Sequence, residues 1–276
     1  MSSVRSPAVA GFFYPEHSGE LAATVDELLA TAEKPAETER APKAIITPHA
    51  GYVYSGAIAA AAYARVKARS AGLRRVILIG PCHRVALQGM AVPTAETFTT
   101  PLGPIPLDRD AILAISGMPQ VSALDAAHAE EHALEVQLPF LQRTLGAFTL
   151  VPIVVGRTDI DALASVIDRL WGGEETLIVV SSDLSHYLDY ASACKIDAQT
   201  CRAIVTMDIG AIGPDQACGR LPVQALLSVA KRRGLVATTV DLKNSGDMAG
   251  DRSRVVGYGA WVFTVAERCS APAMDR

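Results

Sequence analysis

An α/β sandwich with a mixed, largely parallel central sheet flanked by helices is the fold this sequence predicts, and three observations predict it. Short β-branched apolar runs without alternation recur along the chain, Ala- and Leu-rich helical stretches separate them, and several of the runs end in a polar group. Runs of that kind belong to strands buried on both faces. Their regular exchange with helices is the pattern of a layered α/β domain.

Taken in order, residues 18–32 carry a helical spacing of apolar positions, and the polar stretch 33–42 reads as a solvated loop. Buried strands are expected at 44–47, 75–79, 149–155 and 176–180, and helices at 55–69, 131–145 and 159–170. Two segments break the alternation. Residues 98–106, rich in Thr, Pro and Gly, suggest a β-excursion, and the closing runs 236–243 and 254–265 are expected to pair antiparallel, which makes the sheet mixed. With no repeat and no linker, one domain over residues 1–276 is expected, with 269–276 as a frayed tail.

The chain has 276 residues, 50% of them hydrophobic, and 25 Lys+Arg against 29 Asp+Glu for a net charge of -4. Lacking a stripe of basic residues, it is a poor candidate for holding nucleic acid through phosphate contacts. Its apolar stretches fall well short of the ~20 residues that cross a bilayer, so no membrane span is expected. The first residues lack the charged and then apolar regions of a secretion signal, so a cytoplasmic location is expected. Five cysteines, an odd number in a long chain, suit buried thiols or a single ligand better than a disulfide framework.

The chemistry gathers at strand ends. Ile46-Thr47-Pro48-His49, Ile79-Gly80-Pro81-Cys82-His83 and Val180-Ser181-Ser182-Asp183-Leu184-Ser185-His186 each close a buried run with a polar group. In open α/β sheets the carboxyl ends of strands line the ligand crevice, so these groups are expected to converge there. A single strand-end histidine is ordinarily a hydrogen-bonded structural residue. Three such endings together point to a mononuclear transition-metal site, because neutral imidazole and carboxylate oxygen both donate lone pairs.

Rival readings are weaker. His128-Ala129-Glu130-Glu131-His132 matches the H-x-x-E-H pattern of a zinc hydrolase, which sets two histidines one helical turn apart around a glutamate base. The plainer reading is that Glu131 and His132 begin a helix, with the carboxylate at its positive end. The serines around Asp183 lack a G-x-S-x-G elbow, and the Walker and dinucleotide glycine patterns are absent.

Five blocks in order, Arg5-Ser6-Pro7-Ala8-Val9-Ala10-Gly11-Phe12-Phe13-Tyr14-Pro15, Pro48-His49-Ala50-Gly51-Tyr52-Val53-Tyr54-Ser55-Gly56, Gly80-Pro81-Cys82-His83, the Glu131-to-Leu141 segment and the Ser181-to-Tyr187 segment, together resemble the Memo family. Its bacterial and archaeal members are called AmmeMemoRadiSam system protein B. The family's fold is similar to that of class III extradiol dioxygenases, non-haem iron enzymes that cleave catechol rings. The resemblance implies a redox or oxygen-dependent enzyme acting on a small molecule or peptide, with iron as cofactor and copper or zinc as alternatives.

By the same resemblance His49 and His83 are metal ligands and Cys218, in Gln216-Ala217-Cys218-Gly219-Arg220, is the third; composition alone distinguishes none of the five thiols. His186 corresponds to the acid/base histidine, Asp183 and His132 stand beside it, and Tyr54 contacts substrate at the mouth. Ring-cleaving dioxygenases carry a carboxylate where this chain has Cys218, and a thiolate changes the redox behaviour and selectivity of a metal. Animal members are described as copper or iron redox proteins and as binders of phosphotyrosine peptides, so a non-catalytic peptide- or partner-binding module is the alternative. The prokaryotic name implies radical-SAM and AMMECR-type partner proteins.

Overall fold

The computed structural model describes residues 3–36, 40–68, 70–248 and 250–266, so the expected tail at 269–276 lies outside the described residues. The chain opens with β1 (Val4–Arg5) and turns at Gly11, whose φ of +80° favours a residue without a Cβ. It then enters α1 (Ser18–Thr31), where Leu21, Val25 and Leu29 form the buried stripe of an amphipathic helix. Next come β2 (Ala44–Thr47), α2 (Tyr52–Lys67) and β3 (Arg75–Pro81). Small side chains let α2 lie close to the sheet, and Ile58, Tyr63 and Val66 are fully buried beneath it.

The middle of the chain supplies β4 (Met90–Val92), β5 (Thr97–Thr100), β6 (Gly103–Pro106), α3 (Arg109–Ser116), β7 (Val121–Ala123), α4 (Ala126–Ala129), α5 (His132–Glu135) and α6 (Leu138–Leu145). After these follow β8 (Thr149–Val155), α7 (Ile160–Arg169), β9 (Thr176–Ser181), β10 (His186–Leu188), α8 (Tyr190–Val205), a 3-10 turn (Ile209–Ala211), α9 (Arg220–Arg232), β11 (Leu235–Asn244), α10 (Ser245–Met248) and β12 (Val255–Val265).

The main sheet runs β10-β12-β2-β9-β3-β8-β4-β7, with β11 also paired to β12. Its centre, β2-β9-β3-β8, is parallel, and the joins β12-β2 and β8-β4 are antiparallel, so the mixed sheet expected from the sequence is present. Every residue of β2 and β9 is buried, because α2 with α1 and α6 covers the sheet near β2 and β12 while α9 with α7 covers β3 and β9. The closing strands β11 and β12 pair antiparallel as expected.

One expectation needs correction. The continuous helix over 131–145 is broken into α5 and α6, because Pro139 sits in the first turn of α6, where a missing N–H costs nothing, and cannot continue α5. The β-excursion expected at 98–106 is present as a hairpin, β5 with β6, which joins β1 in a separate three-stranded sheet. Among the described residues no helix is long and apolar enough to cross a membrane.

The N-terminal segment is clamped onto a fully buried carboxylate. Glu135 accepts from the Arg5 guanidinium, from the backbone N–H groups of Ala8 (2.8 Å) and Val9 (3.0 Å), and from the Tyr14 hydroxyl (2.5 Å). The same guanidinium donates to the carbonyls of His128 (3.0 Å) and Glu131 (2.8 Å), so it also fixes the backbone that carries His132.

Candidate metal centre

Three imidazoles meet at the carboxyl ends of the central strands. His49 follows β2, His83 follows β3, and His132 opens α5; one donor atom of each lies within 4.8 Å of the others. The His83 and His132 rings stack with centroids 4.9 Å apart, and His49 meets each of them edge-on at 5.4 Å. His49 is buried, His132 half-buried, and His83 faces the opening.

Hydrogen bonds select the tautomers. Tyr63 donates its hydroxyl to Gln137 Oε1 (3.0 Å), and Gln137 Nε2 donates to Pro48 O and to Ser181 Oγ, both at 2.8 Å. The Ser181 hydroxyl spends its one proton on Ala133 O (2.6 Å), so at 2.9 Å it accepts from His49 Nδ1–H. The lone pair of His49 is therefore on Nε2. His83 Nδ1 lies 2.9 Å from Glu131 Oε1 and donates to it, which likewise leaves Nε2 as the donor atom to a metal. His132 Nδ1 is buried, has no hydrogen-bond partner among the described residues and lies 3.5 Å from Glu131 Oε1.

Glu131 is the N-cap of α5, accepting from Ala133 N–H at 2.9 Å, and it also accepts from the backbone N–H of His83 at 2.5 Å. Burial works against its charge, but the ring and backbone of His83 outweigh that and hold its pKa down at about 2. Burial, reinforced by the neighbouring His83, depresses His49 to about 3; burial, reinforced by His49, depresses His132 to about 4. Both imidazoles are neutral near neutrality, the form in which imidazole binds a metal.

Cys218 comes from a distant segment, and its Sγ lies 3.4 Å from His49 Nε2. The end of β9 holds it there: Asp183 N–H donates to Sγ (3.3 Å), Cys218 N–H donates to Asp183 O (3.3 Å), and Gly219 N–H donates to Ser182 Oγ (3.0 Å). A Cβ on Gly219 would lie 2.7 Å from Ser182 Cβ, so glycine is what lets the loop approach this closely. Burial, then the Asp183 charge, pushes the thiol up to about 12.

The remaining sequence-derived candidates fall around this cluster. Asp183 accepts from His49 N–H at 2.8 Å, and burial raises its pKa. His186 opens β10; its Nδ1 donates to Leu184 O (2.8 Å), which leaves Nε2 free to take a proton. Tyr54, 40% exposed, lies in the first turn of α2. His128 does not join them. It lies on the separate helix α4, its Nε2 donates to Ala91 O (3.1 Å), and its ring packs against Phe98, so the H-x-x-E-H arrangement on one helix is absent.

Sequence reasoning missed the supporting roles of Glu131, Gln137 and Ser181. For Glu131 the local signals were the H-x-x-E-H match and its place at a helix start, neither of which pairs it with His83; Gln137 gave none, because its partners are 74, 89 and 44 positions away.

Together these features define a class: an α/β protein with a histidine-rich candidate metal centre at the carboxyl ends of its parallel strands. The chain belongs to the Memo family, whose family model, described as Memo-like protein, matches residues 5–262. It is 36% identical to a MEMO1 family protein of Aquifex aeolicus, with 94% of this chain and 99% of the relative covered. A MEMO1 family protein of Methanosarcina acetivorans is also 36% identical, over 93% of this chain and 98% of its own. The crystal structure of the uncharacterized protein JW3007 from Escherichia coli K12 superposes with a TM-score of 0.52 at 11% identity, covering 81% of this chain and 100% of that one, which shows a shared fold.

Proposed function

We propose that the chain is a metal-dependent oxidoreductase. A single transition metal, iron in the first instance and copper as the alternative, would be held by His49 and His83, with Cys218 and His132 as the flanking donors. The observation that supports this reading is the converging trio of imidazoles, two of which have Nδ1–H committed elsewhere while Nε2 is free. The donors fit the group: a buried ring nitrogen without a partner on His132, and a sulfur beside His49 Nε2, are what a soft or borderline cation takes up.

When bound, the metal would supply Lewis acidity and one-electron redox chemistry at an open face. The chain's own residues do the rest. Ser181 and Glu131 keep two imidazoles oriented. His186 Nε2 accepts a proton from a bound substrate and returns it, while Asp183 anchors the backbone of His49.

Metal quantification after anaerobic purification tests the reading on wild type and on His49→Ala, His83→Ala and Cys218→Ala. Stoichiometric iron or copper lost in the variants is the expected result. Zinc that is insensitive to all three would overturn it.

A second reading, a peptide- or partner-binding module, is favoured by the exposed apolar side chains Phe12 (88%), Val53 (75%) and Tyr54 (40%). Partners of radical-SAM or AMMECR type, implied by the family resemblance, would dock there. Replacing His186 by Ala separates the two readings: an oxidoreductase keeps its metal and loses turnover, whereas a binding module loses only affinity for its partner.

A further inference from the structure

We propose that the pocket beside the histidine cluster takes a small organic anion, gripping its carboxylate or phosphate through Arg157 and Arg220. This names the substrate class for the metal centre and rests on that reading. The cavity measures about 690 Å³ and is lined by His83 and Cys218 of the cluster together with both arginines. That volume is in the range of small-molecule sites.

The charge balance is what points to an anion. The chain as a whole has more acidic than basic residues, 29 against 25, yet no Asp or Glu is among the described residues lining this pocket. Several arginines elsewhere sit on carboxylates, Arg75 on Asp108, Arg143 on Asp26, Arg232 and Arg233 on Asp168, and others, such as Arg109, on backbone carbonyls. Among the described residues the Arg157 guanidinium has no hydrogen bond or ion pair, and the Arg220 guanidinium donates only to the neutral amide of Gln224, at 3.1 Å.

Each guanidinium is a planar fork of donors matched to a carboxylate or phosphate. Their backbones are well fixed. Arg157 N–H donates to Leu87 O (2.9 Å) just beyond β8, next to a glycine whose Cβ would collide with that same carbonyl, and Arg220 opens α9. Leu87, Val155 and Leu221 offer apolar wall to the hydrocarbon part of the ligand. An anion held by the arginines would present its other end to His83 and Cys218.

Calorimetric titration with benzoate, phenyl phosphate and the neutral isostere benzamide, on metal-free and on iron-loaded protein, tests this. Both forms are expected to bind at least one of the anions, with benzamide weaker by about tenfold or more, and Arg157→Gln and Arg220→Gln are each expected to lose about tenfold in anion affinity. The control Arg202→Gln, on α8 and outside the pocket, should bind as wild type does. The stronger of the two anions identifies the head group.

Benzamide binding as tightly as benzoate, no binding at all, or anion binding that requires the metal and ignores both arginine substitutions would overturn the proposal. The preference of wild type for benzoate over benzamide decides the matter even if an arginine variant folds poorly. Arginine-dependent binding in a protein whose metal content ignores His49→Ala and His83→Ala would uphold the pocket and sink the metal-centre reading.

Discussion

Glu131 holds His83 at both ends, taking the ring Nδ1–H on one carboxylate oxygen and the backbone N–H on the other. The imidazole can neither rotate nor change tautomer without breaking one of these bonds. Glu131→Gln keeps the shape but weakens acceptance, and metal affinity is expected to fall 10–100-fold with the fold retained, as outer partners of metal-binding histidines usually show. Competition against a calibrated chelator measures it; unchanged affinity would mean that His83 needs no such restraint.

The flanking donors can be separated spectroscopically. Cobalt substituted into the centre should show a thiolate charge-transfer band that disappears in Cys218→Ser and survives in His132→Ala. Absence of the band from wild type would remove Cys218 from the donor set.

Gly219 carries no side chain because a Cβ there would also lie 2.8 Å from the carbonyl oxygen of Ser181. Gly219→Ala is expected to cost about 1–3 kcal/mol, the usual range for overpacking, and to move Cys218 away from His49. Thermal unfolding reads the first effect and loss of the cobalt band the second.

Acid should destabilise the metal-free protein in a defined window. His49, His132 and His128 have folded-state pKa values of about 3, 4 and 4, below the ordinary 6.5, in each case chiefly through burial. The unfolded chain therefore takes up protons that the folded chain refuses. Stability is full above pH ~6.5 and falls as the pH drops toward ~4, by about 1.4 kcal/mol per histidine per unit. Asp183 and Asp197, both raised by burial, act in the opposite sense, but they are two groups against three. Urea melts at pH 7.5, 6 and 5 should show the decline, and a flat profile would refute the assignment of neutral imidazoles.

Arg5 and Glu135 form a buried pair, with side chains 6% and 0% exposed. Removing one partner should cost about 3–5 kcal/mol, whereas the double replacement Arg5→Met with Glu135→Met should recover only part of that loss: no charge is left stranded, but the N–H groups of Ala8 and Val9, the Tyr14 hydroxyl and the carbonyls of His128 and Glu131 lose their partner. Denaturant unfolding of the two single variants and the double variant closes the cycle.

Much of the scaffold was legible because β2, β3, β8 and β9 are continuous apolar runs, and two of the cluster's histidines sit where such runs end. The edge strands β4 and β7, three residues each, are too short to show a period. The strand-end pattern did not reach His132, which lies on a four-residue helix; the H-x-x-E-H match paired it with His128, and only the family resemblance set it at the same crevice as His49 and His83. Cys218 stood out only through family resemblance, because what brings it to His49, 169 positions away, is the backbone of Asp183 and the missing side chain of Gly219. Such contacts are properties of the tertiary structure and leave no trace in spacing.

Strand β9 is threaded between β2 and β3, although the ribosome makes it after both. His49 and His83 are thus kept at their working separation by a wedge that does not yet exist when they emerge. A nascent chain halted before residue 176 would lack the spacer, and Ser181 with it, so cation capture at this place is a task for the finished polypeptide.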